Sequence, residues 1–172
     1  MKYLLILLVA GLCSCGNTIY IVRHAEKEPV KPGAPMMEAG DPPLSEAGRQ
    51  RALVLRDLLG NRNVKYIFST NYKRTISTAQ PLKDSKGDLR IELYSSKKDS
   101  MDAFISRLKT IRNGNVLVVG HSNTIDDLAN KLCGTTVVPG DLDEKIYDNL
   151  YAIKRKGDRY VFKGKKYGAK TE

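Results

Sequence analysis

The chain holds two histidines in 172 residues, and each follows directly on an apolar run. His24 comes after Ile19-Tyr20-Ile21-Val22-Arg23, and His121 after Val116-Leu117-Val118-Val119-Gly120. A third apolar run, 64–68, ends in Ser69-Thr70 with Arg74 one helical turn further on. Guanidinium groups bind phosphate oxygens in planar forks that stay charged. A neutral imidazole can attack phosphorus and carry the phosphoryl group covalently, splitting one hard displacement into two easier ones. Arg23 and Arg74 beside His24 and His121 therefore suit phosphoryl transfer. One imidazole would be the nucleophile, and the other, held protonated by the phosphate, would steady charge on the equatorial oxygens. A lone histidine is more often a satisfied structural residue, but two of two beside arginines favour a site. Metal hydrolases need several converging ligands, and Asp126-Asp127 on adjacent faces of one helix makes no cage. No metal and no cofactor is expected.

These residues must be brought together by elements that end at one edge. Residues 18–22, 64–68 and 116–119 read as buried strands, and 90–94 as a weaker one. Helices are expected from the cap Ser45 to Gly60, over 72–79 with Pro81 marking the stop, and over 124–133 up to the cap Gly134. Another starts from a cap at Asp99 or Ser100, and its Met101, Phe104, Ile105, Leu108 and Ile111 recur at helical spacing as a core face. Two late strands, 150–154 and 160–163, flank the turn Lys156-Gly157-Asp158. Strands alternating with helices, two of them continuously apolar, imply an α/β fold, a three-layer α/β/α sandwich with a mainly parallel central sheet. Ligands of such sheets sit at the carboxyl ends of the strands. Both histidines fall there. Five of the seven prolines, at 29, 32, 35, 42 and 43, crowd the stretch from Ala25 to Leu44, which is expected to be irregular. It leaves the first strand at the site edge, as a substrate-facing rim or a tolerated surface insertion.

A hydrophobic content of 41 % with 28 % charged residues excludes disordered, collagen-like and coiled-coil classes and fits one ordinary domain. The first residues stand apart from it. Lys2 precedes an apolar run, 3–13, that is shorter than the about twenty residues a membrane span requires and reads as a secretory signal. Its end, Leu12-Cys13-Ser14-Cys15, resembles the lipobox of bacterial lipoproteins. Residues 1–14 are thus expected to be a lipoprotein signal peptide and Cys15 the lipidated terminus of a single domain, 15–172. The protein would be exported and membrane-anchored, facing the periplasm or the cell surface. An ordinary cleaved signal is the plainer alternative. Only Cys133 then remains in the folded part, as a small apolar residue, and no intramolecular disulfide can form.

The chain resembles the histidine phosphatase superfamily, with its phosphoglycerate-mutase-like fold, through four segments in order within 18–134. Ile21-Val22-Arg23-His24-Ala25-Glu26 resembles the family's Arg-His-Gly signature, and Pro43-Leu44-Ser45-Glu46-Ala47-Gly48 its Leu-Thr-x-x-Gly segment. Ser69-Thr70-Asn71-Tyr72-Lys73-Arg74-Thr75 with Thr78-Ala79 resembles the Ser-x-x-x-Arg-Thr/Ala-x-x-Thr-Ala segment, and Val119-Gly120-His121-Ser122-Asn123-Thr124 supplies the fourth. The resemblance implies that His24 is the nucleophile that becomes phosphohistidine, that Arg23 and Arg74 bind the phosphoryl group, and that His121 completes the pocket. Ala25 stands where the signature has glycine, a change the turn tolerates unless it needs positive φ. Many members also use a Glu or Asp after the third strand as general acid. Glu92, Asp99 and Asp102 lie in that region, no motif selects one of them, and Asp99 and Asp102 serve equally as a helix cap or a first-turn charge.

The reading is a metal-independent phosphomonoesterase for a small phosphorylated substrate. The alternative is a surface lipoprotein that binds phosphorylated or polyanionic ligands without turning them over. A mutase would need long insertions, and 87–113 holds little more than a strand and a helix; a protein-histidine phosphatase would belong in the cytoplasm, against the export signal. The net charge of +10 points to anionic partners, but from Lys154 to the end there are eight basic residues against two acidic ones. This basic terminus, within 150–172, lacks a nucleic-acid reading motif, so no nucleic acid is expected. It reads as a lysine-protected sheet edge or, more weakly, as a strip against an anionic membrane. Deleting residues 163–172 is accordingly expected to leave catalysis intact.

Overall fold

The computed structural model describes residues 16–33 and 35–171, so Cys15 and the segment before it lie outside the described residues. Six strands form one sheet: β1 (Thr18–Arg23), β2 (Val64–Ser69), β3 (Ile91–Leu93), β4 (Asn115–Gly120), β5 (Asn149–Lys156) and β6 (Arg159–Lys166). Their spatial order is β3-β2-β4-β1-β5-β6. The first four run parallel, while β5 pairs antiparallel with β1 and forms a hairpin with β6. Continuous Ile, Val and Leu in β1 and β4 give strands buried on both faces, as a parallel sheet under helices requires.

The helices are α1 (Met36–Gly40), α2 (Glu46–Gly60), α3 (Lys73–Asp84), α4 (Lys98–Thr110) and α5 (Ile125–Cys133). One face carries α2 and α3, whose Leu55, Leu59, Ala79 and Leu82 pack on Val22, Ile67 and Leu117. The other carries α4 and α5, whose Met101, Phe104, Leu108 and Leu128 pack on Ile19, Ile21 and Val118. The architecture is the α/β/α sandwich with a mainly parallel sheet that the sequence implies. No helix among the described residues is long and apolar enough to cross a membrane.

After β1 the chain moves outward through α2 to β2, and after β4 it moves the other way through α5 to β5. The direction of winding therefore reverses between β1 and β4, which opens a crevice at their carboxyl ends. Two local devices fix the entry to α2. Ser45 caps it by accepting from the Gly48 amide at 3.2 Å, as expected, while its own amide donates to the Glu26 carbonyl at 2.9 Å. Gly48 faces that same carbonyl so closely that a Cβ would lie 2.1 Å from the oxygen, so only glycine lets α2 approach the end of β1.

Several expectations are corrected. Pro81 lies inside α3 instead of ending it, because Leu82, fully buried, holds the last turn onto the core. The cap of α4 is Lys97, in an extended conformation and without a side-chain capping bond, which puts Asp99 in the first turn. Ile111 is the C-cap of α4 and not its last helical residue. The proline-rich stretch is not wholly irregular: a bridge between Lys27 and Leu44 closes its ends, and α1 follows Pro35, whose ring favours a helix start. The C-terminus is no separate appendage. Tyr167 is buried against Leu55 and Leu59, and β6 extends beyond the expected 160–163.

Candidate active site

His24 follows β1, Thr70 follows β2 and His121 follows β4, and the three strands are neighbours in register. The His24 amide donates to the Gly120 carbonyl at 2.9 Å, which locks the two histidine-bearing turns together. Their ring centroids lie 5.5 Å apart. Around them opens a cavity of about 610 Å³ that His24, Arg74 and His121 line with Tyr72, Lys27 and Glu144.

The His24 ring is oriented by its Nδ1, 2.8 Å from the Ala25 carbonyl. A carbonyl only accepts, so Nδ1 carries the proton and Nε2 holds the lone pair. Burial pushes this imidazole down to about 3, with Arg23, Arg74 and His121 adding to the effect and the Ala25 bond opposing it. His24 is therefore neutral at any physiological pH. Ala25 itself is buried, donates its amide to Thr78 Oγ1 at 2.9 Å, and has no positive φ, so the missing glycine leaves the turn unstrained.

A chain of hydroxyls orients His121. Thr75 Oγ1 donates to the Thr70 and Tyr72 carbonyls, both at 2.9 Å, and accepts from Thr70 Oγ1 at 3.0 Å. Thr70 Oγ1 is then left to accept from His121 Nε2 at 2.9 Å. Tyr72 closes on the same ring edge-on, centroid to centroid 4.9 Å. Burial, then Arg74 and Arg23, push the His121 imidazole down to about 4 against the pull of Asp41 and Glu144.

Each arginine is held by a carboxylate and keeps one buried donor without a partner. Arg74 lies in the first turn of α3, pairs with Asp41 at 3.0 Å, and donates to the Gly40 carbonyl at 3.1 Å. These partners come from the proline-rich stretch, which thus reaches the site. Arg23 is 1 % exposed and lies behind the cavity wall. Its guanidinium donates to the Asp143, Glu144 and Ile146 carbonyls at 3.0, 2.9 and 3.1 Å, pairs with the Glu144 carboxylate at 2.6 Å, and stacks 4.2 Å over the Tyr147 ring. The Nε atoms of Arg23 and Arg74 are buried and lack a partner. An orphaned guanidinium donor costs free energy that an anionic oxygen would recover.

The three carboxylates weighed as general acid do not reach the cavity. Glu92 pairs with Arg107, Asp102 pairs with Lys131 at 2.7 Å, and Asp99 stays in the first turn of α4. Asp141 and Glu144 line it instead. Glu144 accepts from the Ser122 hydroxyl, which with Arg23 holds its carboxyl below the usual range. These two and Tyr147 come from the loop between α5 and β5, where no hydrophobic period or motif marks them. Among the described residues no three His, Cys, Asp or Glu side chains gather as a cation's ligands would.

The family model of the histidine phosphatase superfamily, branch 1, matches residues 19–98. No curated protein sequence matches the chain. Among solved structures, a candidate phosphohistidine phosphatase SixA from Agrobacterium tumefaciens is 19 % identical, with a TM-score of 0.61 over 89 % of this chain and 98 % of its own. The protein histidine phosphatase SixA complexed with tungstate is 13 % identical, with a TM-score of 0.66 over 87 % and 96 %. A phosphoserine phosphatase from Entamoeba histolytica in complex with 3-phosphoglyceric acid is 14 % identical, with a TM-score of 0.61 over 89 % and 97 %. These three share the fold, and the stretch that carries His24 and Arg74 is similar to the histidine phosphatase superfamily.

Proposed function

We propose that the protein is a metal-independent phosphomonoesterase that works through a phosphohistidine on His24. The observation that carries this reading is the His24 ring, neutral and fixed by its Nδ1 bond to the Ala25 carbonyl so that Nε2 is left as a nucleophile. The substrate phosphoryl group would lie between His24, Arg74 and His121, with Arg23 behind. Nε2 forms a bond to phosphorus as the bond to the leaving oxygen breaks, and the leaving group departs with the electron pair and takes a proton from solvent. Water then attacks phosphorus, the N–P bond breaks, and inorganic phosphate and neutral His24 are regenerated. The dianion raises the proton affinity of His121, whose charged form stabilises the equatorial oxygens. Glu144, with its side chain 70 % exposed, is free to swing off Arg23 as the anion arrives.

Because none of Glu92, Asp99 and Asp102 reaches the cavity, while Glu144 is held in its charged form by Ser122 and Arg23 and Asp141 is exposed at the rim, substrates whose leaving group needs no held acid fit best. These are aryl phosphates and phosphoramidates, the second class including the phosphohistidine in the name of the Agrobacterium neighbour. The same observation supports the alternative, a protein that binds phosphate esters without turnover. The test is hydrolysis of an aryl phosphate in EDTA by the chain from residue 16 on, with rapid-quench trapping of an acid-labile phosphoenzyme. Turnover and trapping should both vanish in His24→Ala; phosphate-ester binding without turnover by the unaltered chain would establish the alternative.

A further inference from the structure

The β5–β6 hairpin is covered on one face only. Tyr151, Ile153 and Phe162 face α5 and the core, whereas Leu150, Ala152, Lys154, Lys163 and Lys165 alternate onto the opposite face. There a groove of about 320 Å³ opens, with Tyr20, Leu58, Leu150 and Val161 in its floor; Leu58 and Val161 are 39 % and 45 % exposed. Arg62, Lys154, Lys156, Lys163 and Lys165 surround this apolar floor, and among the described residues no carboxylate lines it.

Edge protection accounts for Lys163 and Lys165 on the outermost strand β6 but not for the whole pattern. Lys154 stands on β5, which is paired on both sides, to Thr18 of β1 and to Val161 of β6, so it guards no edge. Like charges gathered on one sheet face repel unless a counter-charge faces them. Thr18 also lines the groove, and the Asn17 carbonyl accepts from the Arg155 amide at 3.0 Å. Strand β1 therefore begins at this face. The histidine site lies at the other end of β1, about 17 Å away along five residue steps.

We infer that the face formed by α2, β1 and the β5–β6 hairpin docks on an anionic lipid surface, with lysines on the headgroups, Leu58 and Val161 at the interface, and the histidine cavity pointing into solvent. The exposed apolar floor between the cations favours a bilayer over a wholly polar polyanion. The inference does not depend on the proposed activity or on acylation of Cys15.

The chain from residue 16 on contains all of the packing described above and tests the surface without the apolar run. Its partitioning is read by cosedimentation with phosphatidylcholine vesicles, with and without phosphatidylglycerol, at low and high salt. Binding should require phosphatidylglycerol and weaken with salt. Combining Lys154→Gln, Lys163→Gln and Lys165→Gln should weaken it on the order of a hundredfold. Combining Lys65→Gln, Lys98→Gln and Lys109→Gln, which removes the same charge elsewhere, should leave most of it. Both triple variants must retain the parental urea midpoint, which separates loss of binding from loss of fold; Leu58→Ser with Val161→Ser is the uncharged counterpart and should reduce the salt-resistant part of the binding. No binding by the unaltered chain overturns the inference. So does equal loss in both triple variants, or binding to heparin or polyglutamate in place of vesicles.

Discussion

At the residue level the site is organised around two imidazoles that the protein keeps uncharged. Burial, followed by the neighbouring arginines, pushes His24 to about 3 and His121 to about 4, both below their ordinary value near 6.5. A depressed imidazole pKa means that the neutral form persists as pH falls through 6.5, and protonation of the free site is centred on about 4 for His121 and lower still for His24. The second ionisation of a phosphate monoester lies near pH 6. The acid limb of kcat/KM, which reports free enzyme and free substrate, should therefore follow the substrate and not the enzyme. Two aryl phosphates with different second ionisations should give limbs displaced by that difference. A limb fixed near pH 6.5 for both would show that an imidazole titrates in the free site. Arg23 adds a second feature at this scale. Its carboxylate partner Glu144 comes from the cavity rim, so the guanidinium is occupied by an anion that the phosphoryl group of the proposed substrate would have to displace.

At the level of elements, the positions of the reactive residues depend on how closely α2 meets the end of β1. Gly48 packs on the Glu26 carbonyl, and one turn on, Arg51 pairs with the Glu26 carboxylate at 2.6 Å. Gly48→Ala has nowhere to put its methyl and should cost about 1–3 kcal/mol as α2 is forced off the strand end. Urea denaturation reads this directly, and an unchanged midpoint would mean that the helix can slide without loss. The strands and the residues that follow them were legible because β1 and β4 are continuously apolar and end in the only histidines. The cap Ser45 and the αL glycine Gly134 were legible from capping chemistry. Other features depend on contacts far apart in sequence. Pro81 stays helical because Leu82 is buried, and Asp41 reaches Arg74 because a bridge between Lys27 and Leu44 folds the proline-rich stretch back. Neither contact leaves a local signature. The same holds for Glu144 and Tyr147, whose importance comes from Arg23, more than a hundred residues earlier in the chain.

At the level of the whole molecule, the basic C-terminus is tied to both the core and the site wall. Arg51, only 3 % exposed, donates to the Tyr167 carbonyl at 2.7 Å and to the Ala169 carbonyl at 2.8 Å. The Tyr167 amide donates to the Asp148 carbonyl at 2.9 Å, and the Tyr147 amide to Thr171 Oγ1 at 3.1 Å. Tyr147 in turn lies under Arg23 and 5.9 Å from the His24 ring. Composition reads this terminus as surplus charge on a sheet edge, which is why its removal looked harmless; the hydrogen bonds show that it closes the end of the barrel of contacts around Arg51. Deleting residues 163–172 would strip part of β6, expose Leu55 and Leu59, and take two carbonyl acceptors from the buried Arg51 guanidinium, leaving it only the Glu26 carboxylate. Loss of activity on deletion would then report unfolding and say nothing about catalysis. Two point variants separate packing from hydrogen bonding. The Tyr167 hydroxyl is buried without a partner, so Tyr167→Phe removes an unsatisfied polar group and should leave stability equal or higher. Tyr167→Ala keeps every backbone bond of the tail but empties the space beside Leu55 and Leu59, and should cost about 3–5 kcal/mol. If urea unfolding gave Tyr167→Ala the parental stability, the tail would be an appendage after all, and the deletion should leave catalysis intact.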